Sequence, residues 1–422
     1  MNKVRLIPFF LFILILNGCS SLGWLKFWDR EDEEAGPTEL YAINPSVEIT
    51  IDWSESFGNE NSFGRLVPSV YEGKVYFMGS EGYLASLDLE TGKVEWSQRT
   101  NDKASGGVDV NFKIISYGTL DGDVVALDYK DGKELWRSKA SSEILSSPVT
   151  DGKMLIAQTS DGRLAGYDLK SGERQWFHQT SVPRLTLRGT STPYINQGFI
   201  FTGFANGKIA MVYPDSGAIR FEIPVTVNEG KSELERIIDI DGKSLITNDL
   251  LIAASYQGNI TAINLREGRP AWQEDISTIK DLTSNGNRVM AVDEKDVVKA
   301  FGIATGAILW EQNDLKLRKL TSPVSIRNLV AVGDLEGYVH LLDAKNGDFL
   351  GRKKISRKPI LELASERDYL LAVDESGKLF KLSLNCGTGS LPTSAILPAN
   401  IEIITFVFLS ILFNIFLVWL AV

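Results

Sequence analysis

The sequence predicts an all-β fold: an eight-bladed β-propeller of four-stranded blades, its ring closed by an N-terminal strand. Three observations carry this prediction. The phrase "DGDVVALDYKDGKELW" at 121–136 is preceded by "EGYLASLDLETGKVEW" forty residues earlier and followed by "DGRLAGYDLKSGERQW" forty residues later. The phrase keeps recurring through most of the 422-residue chain. Between recurrences there is no helical period of useful length, only short apolar runs separated by polar turns.

Aligned on its first glycine, the phrase occurs at Gly82, Gly122, Gly162, Gly207, Gly258, Gly337 and Gly377, with Asp296 in the same slot of an eighth copy. The steps are 40, 40, 45, 51, 38, 41 and 40 residues. A second glycine follows ten residues later, at Gly92, Gly132, Gly172, Gly217, Gly268, Gly306 and Gly347. A large aromatic follows fourteen residues after the anchor, at Trp96, Trp136, Trp176, Phe221, Trp272 and Trp310, and Gly351 interrupts that series. Runs such as "VVALD" and "KELW", joined by a polar stretch ending in Gly, read as hairpins, because glycine accepts the positive φ that other residues resist. A second pair lies upstream, as in "SSPVTDGKMLIAQTS", with Pro68, Pro148, Pro193 and Pro323 each fourteen residues before an anchor. Four strands in about 40 residues is the size of a propeller blade. The aromatics read as packing between blades, since a flat ring fills the gap between two sheets.

The last copy runs only "SGKLFKLSLN" and lacks its outer strand. Residues 47–55, "VEITIDWSE", form a strand with Trp53 and belong to no blade of their own. They are expected to complete blade 8, which would leave the ring without an open edge.

The two ends read differently. Lys3 and Arg5 precede the apolar run "LIPFFLFILIL" and then "LNGCSS", which is a secretory signal peptide over 1–18. Its end resembles a bacterial lipobox, with Cys19 as the lipidated first residue of the mature chain. The acyl chains would anchor it stably. Residues 19–46, with "DREDEE", read as a flexible acidic tether, 47–385 as the propeller and 386–402 as a linker. Ser20 follows the lipidated position where inner-membrane lipoproteins often carry Asp, so the resemblance favours the periplasmic face of the outer membrane. Residues 403–422, "IITFVFLSILFNIFLVWLAV", are a candidate transmembrane helix, long enough for one hydrocarbon core. The sequence leaves three readings of this tail: an inner-membrane anchor, a lineage-specific extension, or a frameshifted end.

Composition excludes several function classes. A net charge of -10 argues against a nucleic-acid partner. The two histidines, His178 and His340, stand in unrelated contexts, and no cluster has metal-ligand spacing. Cys386 is the only cysteine besides Cys19, so no internal disulfide is expected. No cofactor and no catalytic residue is predicted.

Irregularities in the repeat mark the candidate site. The connection from an outer-strand aromatic to the next proline slot is usually 12 residues, but it is 17 from Trp176 to Pro193 and 23 from Phe221 to Ser244. Both enlarged loops are the same type of connection in adjacent blades, so they leave the same rim, and insertions on one face of a repeat protein often mark its binding face. The first reads "SVPRLTLRGTSTP", with Leu185, Leu187 and Arg188. The second reads "EGKSELERIIDIDGKS", with Glu235, Arg236, Asp239 and Asp241. Apolar anchors beside an arginine, with carboxylates nearby, suit a protein partner.

With the lipobox, the eight quinoprotein-like repeats, "LTLRG" and "ELERIIDID", the chain resembles the BamB family over residues 19 to about 385. These are the propeller lipoproteins of the β-barrel assembly machinery in Gram-negative outer membranes. The resemblance implies a non-enzymatic scaffold that assists folding and insertion of outer-membrane proteins. It also implies that Leu185, Leu187, Arg188, Asp239 and Asp241 contact a periplasmic POTRA domain of the barrel-inserting subunit. Unfolded outer-membrane proteins are a further expected partner, held by strand addition at blade edges. The C-terminal span departs from the family pattern. Two other readings remain: a quinone-dependent dehydrogenase, which would need an adjacent cysteine pair that this propeller lacks, and a membrane-tethered extracytoplasmic sensor.

Overall fold

The structure is a computed structural model, and it describes residues 36–57, 65–187, 189–226, 232, 234 and 237–386. Cys19, Arg188, Glu235, Arg236 and the segment 403–422 lie outside these residues.

Eight four-stranded antiparallel sheets are formed, and no helix occurs among the described residues. Blades 1 to 7 cover residues 69–99, 104–139, 149–179, 194–224, 245–276, 283–312 and 324–354. Each is a meander with its strands in chain order. Blade 8 takes three strands from 360–386 and its outermost strand, Val47–Ser56, from the start of the propeller. The ring therefore closes as the truncated eighth copy predicts. Val47 and Ile49 pack with Leu341, Phe380 and Leu382 in one cluster that joins blades 7 and 8.

The two landmarks of the repeat meet across blade boundaries. Trp136 lies so close to Gly172 of the next blade that a Cβ there would stand 2.5 Å from its ring, and its indole N–H donates to Leu169 O at 2.8 Å. Trp176 meets Gly217 and donates to Pro214 O, Trp272 meets Gly306 and donates to Ile303 O, and Trp310 meets Gly347 and donates to Ala344 O. Trp53 does the same to Gly92 and Leu89 O, which carries the pattern through the closure. Each glycine thus has two reasons to be one: a left-handed turn conformation and a ring lying on its Cα. Gly172→Ala meets both, at φ +73° and 2.5 Å. It is expected to cost about 2 kcal/mol in urea denaturation without changing the fold.

Gly351 interrupts the aromatic series for a local reason. A Cβ at 351 would stand 2.5 Å from Val47 O, because the closing strand crosses blade 7 there. A tryptophan has no room. Asp296, in the glycine slot of blade 6, takes φ +62° itself and uses its carboxylate to accept the backbone N–H groups of Lys319 and Leu320.

One expectation is corrected. The sequence assigns all of 19–46 to a flexible tether, but 36–46 form a seated strap. Leu40 packs on the blade 6–7 cluster, and Ser46 N–H donates to Leu350 O at 2.9 Å. The strap has Leu40 and Ile43 to cover partly against the blades, which a purely acidic tether would lack.

Candidate functional site

The two enlarged connections, 180–193 and 225–244, leave the ring on the same rim and are fastened to each other. The Leu187 backbone N–H donates to the Asp239 carboxylate. Ser191 Oγ donates to Gly242 O at 3.3 Å, and Thr190 Oγ1 donates to Ser146 Oγ at 3.1 Å, tying the pair to the preceding loop. Gly189 passes directly over Asp241, where a Cβ would stand 2.5 Å from Oδ2.

The stretch "IIDIDG" explains the arrangement. Its alternation places Ile238 and Ile240 on blade 4, against Gly207 and Gly203, and turns Asp239 and Asp241 toward the neighbouring loop. Tyr256 N–H donates to Asp239 O and fixes the backbone. A cavity of about 120 Å³ remains between the loops, lined by Leu145, Gln158, Leu187, Phe204, Asp239 and Ile240 among others.

The site residues therefore divide by exposure. Leu185 is 45% exposed and Leu187 is half-buried over the cavity. Asp239 and Asp241 are 1% and 7% exposed, so the two carboxylates are not part of the rim surface as the sequence placed them. They lie beneath the first loop because that loop needs acceptors for its backbone. Asp239 Oδ2 and Asp241 Oδ1 have no hydrogen-bond partner among the described residues. Burial pushes both carboxyls above the usual range, and the charge of Asp241 pushes Asp239 further, while Arg65 opposes the rise at Asp241. Two exposed apolar side chains on these loops were not singled out from sequence: Val182 and, at 67% exposure, Leu234. The available signal for Leu234 is a lone leucine between Glu233 and Glu235 in an otherwise polar loop.

The centre of the ring is bridged by side chains that no motif announces. Arg65 pairs with both oxygens of Asp281, at 2.7 and 2.6 Å, and its Nε reaches Glu362 at 3.4 Å. These residues enter from blades 1, 6 and 8. Burial alone would raise Asp281, but Arg65 holds it below the usual carboxylate range; Glu362, more loosely held, is raised by burial. Beside this bridge is a lumen of about 840 Å³ lined by Asp109, Tyr194 and Lys243. Among the described residues, no group of three or more His, Cys, Asp or Glu is placed to hold a metal ion.

These features define a class: an eight-bladed propeller whose most elaborated surface is a rim of interlocked loops with exposed leucines. A family model described as outer membrane protein assembly factor BamB matches residues 80–284 and 277–390. The chain is 44% identical over 323 residues to the protein of that name from Kangiella koreensis, covering 76% of this chain and 83% of that one. It is 43% identical over 344 residues to the Pseudomonas aeruginosa protein, covering 81% and 88%. Among solved structures, BamB from Moraxella catarrhalis matches with a TM-score of 0.74 at 27% identity, over 80% of this chain and 100% of that one. A quinohemoprotein alcohol dehydrogenase from Comamonas testosteroni matches with a TM-score of 0.63 at 12% identity, over 84% and 79%, a likeness of fold alone. The chain belongs to the BamB family, whose members are named as assembly factors and not as enzymes.

Proposed function

We propose that the protein is a non-enzymatic subunit of the outer-membrane β-barrel assembly machinery, held at the periplasmic face of the outer membrane by a lipidated Cys19. Its interlocked rim grips a POTRA domain of the barrel-inserting subunit. Family membership supports the assembly role, and the observation that carries the binding site is the pair of enlarged loops presenting Leu185 over a fixed base. In this reading Leu185, Leu187 and Arg188 meet the partner, together with Glu235 and Arg236. Asp239 and Asp241 act as positioning residues that hold Leu187 in place.

Capture of the tagged full-length chain from solubilised membranes tests the assembly role. Co-purification of the barrel-inserting subunit supports it. A bound quinone cofactor, or neither, overturns it. A second measurement tests the positioning role. Gly189→Ala presses on Asp241 from a backbone position that contributes no side chain to a partner. It is expected to weaken capture about ten-fold with an unchanged circular dichroism spectrum. Wild-type capture would remove Asp241 from the site.

A further inference from the structure

The lumen wall repeats from blade to blade, so a residue that departs from the series stands out. Thirteen residues before each repeat anchor the wall carries a half-buried side chain, such as Ser69, Val149, Tyr194 and Leu245, and Asp109 is the only charged residue of that tier in the eight blades. Two positions earlier, a second tier holds three charges, Lys243, Asp281 and Glu362. Arg65 enters from blade 1 and pairs with both carboxylates. Lys243 is the charge left over.

Neither Asp109 nor Lys243 is neutralised. The Lys243 backbone N–H donates to Asp281 Oδ1 at 2.6 Å, but its ammonium lies over the Tyr194 ring, 4.9 Å from the centroid, without an ion pair among the described residues. The Asp109 carboxylate is open to the lumen and has neither a hydrogen-bond nor an ion-pair partner among the described residues. Its place deep in the ring pushes it up to about 6, and the Lys243 charge opposes the rise. The two opposite charges therefore act on each other across the lumen without closing on each other. Partly desolvated charges left in this state are costly, and a ligand that pairs both removes the cost.

The space between them suits a small molecule. Its volume of about 840 Å³ is within the range of ligand pockets. Val67, Val149, Pro193 and Tyr194 give it an apolar wall beside the two charges. The Arg65–Asp281 pair crosses the ring at the end where one blade connects to the next. The mouth lies at the other end, among the inner hairpin turns, where Phe112 is 52% exposed. The lumen therefore opens on the rim opposite the loops 180–193 and 225–244, and it stays accessible when a partner covers those loops.

We propose that the lumen binds a small zwitterion, an amino acid or a dipeptide, whose ammonium pairs with Asp109 and whose carboxylate pairs with Lys243 while its apolar side chain lies on Val149 and Tyr194. Two opposite charges held apart in one wall select against ligands with a single charge or none, because each of these leaves a wall charge desolvated and unpaired.

Calorimetric titration of the full-length chain in detergent tests this. The probes are L-phenylalanine, glycyl-L-leucine and glycyl-L-phenylalanine, with N-acetyl-L-phenylalanine as the singly charged control and its amide as the uncharged one. At least one zwitterion is expected to bind, and the preference between amino acid and dipeptides reads the spacing of the two charges. Asp109→Asn and Lys243→Met should each weaken that binding about ten-fold with an unchanged circular dichroism spectrum. The ionised form of Asp109 is the one that binds, so the affinity of the wild type should fall about ten-fold from pH 7 to pH 5, as the carboxylate takes up a proton near 6. Asp109→Asn should show no such fall. The proposal is overturned if none of the three zwitterions binds, if the amide binds as tightly as they do, or if both variants bind like wild type. N-acetyl-L-phenylalanine binding as tightly as the zwitterions would make the lumen an anion site resting on Lys243 alone, which also overturns it.

Discussion

Leu185→Glu is expected to weaken binding of purified POTRA domains by about 30- to 800-fold, the loss of roughly 2–4 kcal/mol that follows removal of an interface hot spot. Leu185 is the cleaner probe of the two leucines. Its side chain projects from the rim, so a carboxylate there meets water in the free protein and an apolar contact only in the complex. Leu187→Glu should weaken binding at least as much, but for a mixed reason. Leu187 lines the cavity with Phe204, Ile240 and Asp239, and a third carboxylate beside the buried Asp239 and Asp241 would displace the loop. Calorimetry measures the affinity, and circular dichroism and thermal melting separate the two causes. A folded Leu185→Glu protein that binds like wild type would show that the partner uses another face.

Deleting residues 47–55 is expected to remove most of the stability of the propeller. The deletion takes away two fully seated side chains, Val47 and Ile49, and the Trp53 ring on Gly92. Together these amount to roughly 6–11 kcal/mol, on the scale of a domain's entire stability of about 5–15 kcal/mol. It also opens two blades to solvent at once, since Val47 and Ile49 bury parts of both blade 7 and blade 8. Deleting 20–34 instead should leave the melting temperature within a few degrees of wild type, because the strap grips begin at Thr38. Equal, small effects of the two deletions would mean that the ring is held closed by something other than this strand. Trp53→Ala isolates the ring contact and should cost about 3–5 kcal/mol.

The truncated eighth copy and the unassigned Trp53 were enough to predict closure, because a repeat makes a missing strand visible as a gap in a known frame. The loop lengths located the candidate rim in the same way. Exposure within the rim was not visible: Asp239 and Asp241 have the composition of a solvated loop, and only the seating of 180–193 on top of them makes them buried supports.

By itself the sequence determined the number of blades, the strand order, the closing strand and the rim on which the long loops lie. Each of these depends on local periodicity, turn chemistry and counting along the chain. The tertiary structure alone decided which landmarks touch. That the tryptophan of one blade rests on the glycine of the next, that Val47 crosses Gly351, that Arg65 reaches Asp281 across the ring, and that Arg318 and Arg352 hold the strap are contacts between residues about 34 to 311 positions apart. Such pairings carry no spacing signal. They are selected by the geometry of a closed ring, which brings distant segments to one point, and by the need of each buried charge to find a partner there.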